Sequence, residues 1–335
     1  MHYHLLKRIL YLLLFCSLLI VVLLFIAQSK IEKEELQPIE NEVNLLPQPT
    51  DTISIMTYNL GYLSGMTNNL PVHASNEFYS ANLQKLRAHL NETAYDLVAF
   101  QEIDYGSKRS YFVDQHQAIA DGSFPYSVKA INWNKRYVPF PYWPPNVHFG
   151  RMLSGQSTMS RLKIKSYERI VLEQVESNPF YYNSFYLDRL AVCTLIHHPV
   201  FDFWVINLHT EAFDQPTRKK QIEFLHQLFK QKQQENPVIL LGDFNSSPNM
   251  EQAAIQILMN DSAIGSACFT GQNYDCTFPS DSPAERLDYI FYSKADFNEV
   301  ESRILNEFGE ISDHLPVYAK LSLRKRAKKA PSFDR

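Results

Sequence analysis

The residues best suited to chemistry are spread along the chain: Asn59, Glu102, His209, Asp243 with Asn245, Asp288, and the adjacent Asp313 and His314. Most of them close an apolar run (ISIMTYN, LVAFQE, FWVINLH, VILLGDFN), so a polar group emerges where a buried strand ends. A carboxylate such as Glu102 at a strand end is a hard oxygen ligand suited to Mg²⁺ or a similar ion that also contacts phosphate. The plainer reading is a buried glutamate capping a turn. In VILLGDFNSSP the two-residue alternation of an extended chain puts Asp243 and Asn245 on one face. A carboxylate beside a neutral amide can orient a water and donate a hydrogen bond to a phosphoryl oxygen, although an Asx turn uses the same residue types. His314 follows Asp313 just before a proline-led strand, and a histidine titrating near about 6.5 serves as acid or base when a carboxylate orients its ring. Asp288, a lone acid entering an apolar strand in ERLDYIFYS, is the candidate for that orienting role.

The elements that must carry these groups alternate, but not in the regular order of a doubly wound sheet. Strand-like runs at 52–58 and 96–101 bracket a helical segment around 79–92, where Leu83, Leu86 and Leu90 share a face. Runs at 168–176, 190–197 and 202–208 follow one another with no room for crossover helices, which predicts antiparallel neighbours. Pro216 opens a helix to about 235, followed by strand 237–242, helix 249–260, and strands 286–292 and 316–322. The expected fold class is α/β, a four-layer sandwich of two mostly antiparallel sheets flanked by helices.

Hydrophobic residues make up 45% of the 335, aromatics 13%, and only 10 are glycine, which excludes a disordered chain. We read one large domain at 52–322. Before it lie a short tail at 1–8, an uncharged apolar stretch at 9–27 long enough for a transmembrane helix, and a polar, proline-bearing tether at 28–51. A cleaved signal peptide is the alternative, with Ala27, Gln28 and Ser29 a passable cleavage site. The lysine and arginine counts flanking the stretch tie, and the terminal amine together with Glu32, Glu34 and Glu35 tips the expectation toward a single-pass membrane protein with its domain outside the cytoplasm. The basic tail at 323–335 is solvated or touches nucleic acid or anionic lipid; with it set aside, the chain's net charge of -4 becomes about -9 for the rest. Cys268 and Cys276 flank a loop and can pair in an oxidising compartment or stand as free thiols. Sequons at Asn91, Asn245 and Asn260 read as chance matches, since a glycan on Asn245 would block the candidate site.

Taken together and in this order, MTYNLGYL, FQEID, NLHTEAF, LLGDFNSSP, ERLDYIF and SDHLPVYAKL resemble the endonuclease/exonuclease/phosphatase superfamily with its deoxyribonuclease I-like fold, over residues 52–322. The P-loop, HExxH and GxSxG signatures of other hydrolases are absent. The resemblance implies hydrolysis of phosphoester bonds with Mg²⁺ or Mn²⁺. It implies Asn59, Glu102 and Asp313 at the metal, Asp243 activating water, Asn245 and His209 on phosphoryl oxygens, and His314 oriented by Asp288. One departure is the mid-chain tyrosine or histidine of many nucleases in this family, for which VHFGRMLSGQSTMSRLKI offers only His148 or Arg151.

Ahead of that segment, NWNKRYVPFPYWPPNVHF at 132–149 is too rich in proline for a central strand and reads as a rigid aromatic loop at the mouth of the site. Trp133 and Trp143 within it, and Arg151 just after it, are candidate substrate contacts. The acidic body lacks the overall basic character that helps polyanion binding, so phospholipid headgroups stand beside nucleic acid as expected substrates. No obligate protein partner is expected. A scaffold that has kept the fold and lost catalysis is the competing class.

Overall fold

The computed structural model describes residues 2–31, 37–41, 50–270 and 273–324. Most of the expected tether and all of the basic tail beyond Arg324 lie outside the described residues. In chain order the elements are α1 (His2–Gln28), β1 (Ile39–Glu40), β2 (Thr52–Asn59), α2 (Asn76–Glu92), β3 (Leu97–Asp104), α3 (Gln115–Ala120), β4 (Tyr126–Val138), β5 (Gly150–Ser160), β6 (Ile164–Val171), α4 (Phe180–Phe185), β7 (Leu190–Ile196), β8 (Phe203–His209), α5 (Gln215–Gln233), β9 (Val238–Asp243), α6 (Gln256–Met259), β10 (Ile264–Ser266), β11 (Phe269–Thr270), β12 (Asn273–Tyr274), β13 (Asp288–Ser293), β14 (Phe297–Ile304) and β15 (Val317–Leu323).

Two sheets carry the domain, in the orders β1-β4-β5-β3-β2-β15-β14 and β10-β13-β9-β8-β7-β6. Within them β2 runs parallel to β3 and β8 to β9, and every other pairing is antiparallel. The sheets pack face to face over Ile53, Ile55, Leu97, Val192, Val205, Ile239 and Ile290. On the outside of the first sheet α2 closes a second core with Tyr58, Leu86, Leu90 and Phe100. On the outside of the second, α5 and α6 cover Ile206, Ile222, Leu225, Phe229 and Leu240. The result is the expected four layers of helix, sheet, sheet and helix. Polar side chains also join the sheets beneath one end: Gln101 Nε2 donates to Asn207 Oδ1 across the interface (2.7 Å), and Asn207 Nδ2 donates to the Phe100 and Ser157 carbonyls.

Several boundaries differ from the sequence expectation. The first helix begins at His2, so Lys7 and Arg8 lie inside it rather than in a tail. The helix expected at 249–260 is confined to Gln256–Met259, because Gln252 adopts a left-handed backbone (φ 52°) that breaks helical continuity. Residues 132–138 of the aromatic stretch belong to β4, where they pair with β5 alone; every proline of the stretch falls after that strand. Ile39 and Glu40, expected within the tether, pair with Ser127 and Tyr126 as an edge strand. Cys268 and Cys276 are free thiols, and Cys268 Sγ lies 3.8 Å from the Tyr318 carbonyl oxygen.

Candidate active site

Strand register gathers the polar residues at one end of the sandwich. His209 ends β8 opposite Asp243 at the end of β9, and Asp243 is in turn opposite Asp288 at the start of β13. Across the cleft, Asn59 ends β2 beside Gln101 of β3. Asp313 and His314 arrive from the connection into β15.

Two glycines let this happen. A Cβ on Gly242 would stand 2.0 Å from the Leu208 carbonyl oxygen, at a φ of +139° that side chains avoid, so only glycine lets β9 approach β8 here. A Cβ on Gly61, at φ +47°, would lie 2.6 Å from Asp313 Oδ1. Glu102 is aimed by a different device. The β3–β5 register shifts between Phe100 and Ile103, and Glu102 takes a φ of 50°, so a bulge turns its carboxylate out of the sheet's alternation.

The imidazole of His314 is hydrogen-bonded through Nδ1 to Asp288 Oδ2 (2.9 Å), with Nε2 3.9 Å from Asp243 Oδ2. Burial works to discharge it, but the carboxylates of Asp288, Asp243 and Asp313 prevail and hold its pKa well above the usual histidine value. His209 is the opposite case: burial, Arg189 and His314 hold its pKa well below that value. Arg189 Nη1 donates to His209 Nε2 (2.8 Å); an arginine has no lone pair to offer, so the ring is neutral and carries its proton on Nδ1. Asp243 accepts from Asn59 Nδ2 (2.9 Å) and from the Asn245 backbone N–H (2.9 Å). Burial, eased by His314, pushes its carboxyl up to about 6. Burial and the neighbouring Asp313 push Glu102 up to about 7.

Glu102 and Asp313 form a separate acidic pair. One amide, Asn68 Nδ2, donates to Glu102 Oε2 (3.0 Å) and to both oxygens of Asp313 (3.3 and 3.2 Å). Among the described residues neither carboxylate has a lysine or arginine ion pair. Two hard oxygen donors with like charge, one weak donor between them and no cation fit a site for a divalent ion. A second grouping, Asp243, Asp288 and His314, brings three ligand atoms within 4.8 Å of one another and could also hold a metal. There, however, His314 Nδ1 and one Asp288 oxygen already bond each other.

The remaining candidates are placed as follows. Asn59 turns its amide oxygen to the Gly61 N–H (3.0 Å) and its nitrogen to Asp243. Asn245 turns its side-chain amide to the Thr210 carbonyl (3.1 Å). Trp133, expected to touch substrate, is buried in a small core with Val138, Phe149, Met152 and Leu187, its Nε1 donating to the Phe185 carbonyl (2.7 Å). It supports the loop from behind, because an indole needs both apolar cover and one acceptor, and the core provides them. Trp143 is 78% exposed on the loop that follows β4, and Arg151 is partly exposed with Nε unpartnered. His148 is tied into that same loop through the Tyr137 hydroxyl (2.7 Å) and the Tyr142 carbonyl (3.2 Å).

Sequence reasoning missed Asn68 and Arg189. Asn68 sits in a loop with no periodic signal. Arg189 had a signal, a lone arginine entering the apolar run RLAVCTLI, and the strand pairing of Leu190 with His209 brings it into the site, where Glu211 and the Tyr186 hydroxyl hold it.

A family model described as the Endonuclease/Exonuclease/phosphatase family matches residues 56–314. No curated protein matches in sequence. Solved structures with a similar fold include the human Nocturnin catalytic domain with bound sulfate anion (18% identity, 87% of this chain and 97% of that one, TM-score 0.58). Another is a Bacteroides thetaiotaomicron mannosyl-6-phosphatase (16%, 80% and 99%, TM-score 0.58). A third is D. rerio TDP2 complexed with single strand DNA product (16%, 81% and 98%, TM-score 0.55).

Proposed function

Because the chain belongs to the endonuclease/exonuclease/phosphatase family, we propose that it is a membrane-anchored, divalent-metal-dependent phosphoester hydrolase acting by in-line attack of an activated water. The observation that carries this reading is the Asp288–His314–Asp243 arrangement set beside an acidic pair that lacks a counterion. Glu102 and Asp313 would hold Mg²⁺ or Mn²⁺, with Asn68 steadying both. When bound, such an ion supplies positive charge that meets the negative charge developing on phosphoryl and leaving oxygens.

The side chains divide the remaining work. Asp243, with a carboxyl pushed up to about 6, is ionised enough near neutrality to orient the water and take its proton as the new P–O bond forms and the opposite ester P–O bond breaks. His314, kept cationic by Asp288, offers fixed positive charge to the phosphoryl oxygens. Neutral His209 and the buried guanidinium of Arg189 complete the polar wall, and Asn59 keeps Asp243 aimed. Among proteins of similar fold, one is titled a mannosyl-6-phosphatase and another holds a single strand DNA product, so the fold leaves the substrate open. The length and apolar composition of helix α1 support a single-pass anchor; the charges flanking it favour a domain outside the cytoplasm.

The test is a panel of plasmid DNA, RNA, sphingomyelin, phosphoinositides and a chromogenic bis-ester, each with Mg²⁺ and with Mn²⁺. Hydrolysis is expected, and Asp243→Ala and His314→Ala should each lower it by about a thousandfold or more. If the full panel stays uncut, the chain is instead a binding or scaffold protein on the same fold.

A further inference from the structure

The point at which α1 joins the domain fixes which way the cleft faces. Trp133 of β4 lies level with Ser154 of β5, and Ser154 with Asp104 of β3, two residues beyond Glu102; the last residues of β4 therefore stand at the catalytic end of the sheet. The chain leaving α1 is fastened there. Arg136 donates to Ser29 through its backbone N–H (3.2 Å) and its Nε (2.9 Å), and the Ile31 N–H donates to Asn134 Oδ1 (2.6 Å). The next described strand, Ile39–Glu40, pairs with Ser127 and Tyr126 at the opposite end of β4. With adjacent strands about 4.8 Å apart, two steps from β4 to β3 put Glu102 roughly 10 Å to the side of β4, and at about 3.3 Å per residue it lies on the order of 10 Å or more back along the strands from the helix exit.

The surface around that exit has the composition of a membrane interface. Tyr137 near the end of β4, Tyr142 and Trp143 on the loop that follows it, and Phe180 and Tyr181 on α4 are all exposed, Trp143 to 78% and Phe180 to 84%. The bond from Trp133 to the Phe185 carbonyl ties α4 to β4. Lys30 and Arg136 are exposed at the same place. Amphipathic aromatic rings with nearby lysine and arginine are the side chains that settle at the headgroup level, where a buried soluble surface would use leucine and valine. None of the apolar window of α1 is buried against the domain, which leaves that helix for the bilayer.

We infer that the cleft opens onto the bilayer that α1 crosses, with the aromatic rim in the headgroup layer, and that the substrate is a phosphoester carried on a lipid of that leaflet. This rests on the proposed hydrolase reading and on α1 as a retained anchor. A second anchoring contact beside the first holds the domain at one orientation. The cleft then meets lipid headgroups at the density of the surface itself.

The tryptophans provide a direct test, since Trp133 and Trp204 are buried and Trp143 is exposed. The full chain is reconstituted into vesicles of phosphatidylcholine brominated on its acyl chains, containing sphingomyelin and phosphoinositide as minor components. Tryptophan emission should fall by roughly a third relative to unbrominated vesicles, the share of one ring in three, and Trp143→Phe should abolish the fall. Unchanged emission would overturn the orientation. In the same vesicles a Phe180→Ser, Tyr181→Ser double variant should lower lipid hydrolysis by about tenfold and leave cleavage of a soluble bis-ester within about twofold. Cleavage of the bis-ester or DNA without any of the vesicle lipids would overturn the lipid assignment while the hydrolase reading stands. Quenching with every phosphoester left uncut would overturn the hydrolase reading and the substrate with it, leaving only the docking of the rim.

Discussion

The two walls of the cleft solve the problem of clustered acidic charge in different ways. On the second sheet each acid has a partner: Asp288 holds His314, and Asp243 is bonded by Asn59 and by the Asn245 backbone. At the other wall Glu102 of β3 and Asp313 of the connection into β15 share the Asn68 amide, Ser312 Oγ also donates to Asp313, and the two carboxylates repel one another. The first wall therefore offers acceptors with few donors of its own, while the second is assembled by the fold itself. Partly buried carboxylates without a cationic partner are a cost that ordinary packing avoids, and their presence at one wall alone is what the proposed divalent-ion site rests on.

Asp243→Asn offers the most forceful way to break this contrast. It removes the proton acceptor from the self-sufficient wall, and hydrolysis should drop by about a thousandfold or more, with no recovery at high Mg²⁺. Recovery with added metal would mean that the walls are not separate in function. Glu102→Gln should behave differently: the Mg²⁺ concentration for half-maximal activity rises by about ten- to a hundredfold, and saturating metal restores much of the rate. The same variant, measured by thermal unfolding without metal, should melt no lower than the parent, because a like-charge interaction has been relieved.

A pH titration of folding sharpens the contrast from a group outside the cleft. His116, enclosed between the hydroxyls of Ser157 and Ser127, is pushed by burial, with Lys129 adding to it, down to about 3. Above about 6.5 the ring is neutral whether folded or unfolded and adds no pH dependence; below it the unfolded chain takes up a proton that the folded chain refuses. Stability should therefore fall by about 2 kcal/mol between pH 7 and pH 5, and His116→Gln should flatten that slope in denaturant melts. Asn68→Ala is the mildest change. With the shared amide gone, the metal requirement should rise by about tenfold while the pH profile of the saturated enzyme stays in place.

What can be read from the sequence follows from how local each signal is. Asp243 and Asp288 sit at ends of apolar runs, so strand alternation alone is enough to single them out. Glu102 is legible for the same reason, although its orientation depends on a bulge that no periodicity announces. Asn68 and Arg189 enter through pairings between distant segments. The burial of Trp133 is illegible as well, since an aromatic next to prolines looks the same whether it lines a mouth or supports it from behind.

The bond between Gln101 and Asn207 lies directly under the catalytic floor and joins one sheet to the other. Both amides are buried, so sliding the sheets apart would break the bonds of Asn207 to Gln101 and to the Phe100 and Ser157 carbonyls together. The sandwich cannot act as a jaw. Its floor is a fixed gauge, and any difference in bulk among substrates must be taken up above it, in the loops that form the aperture.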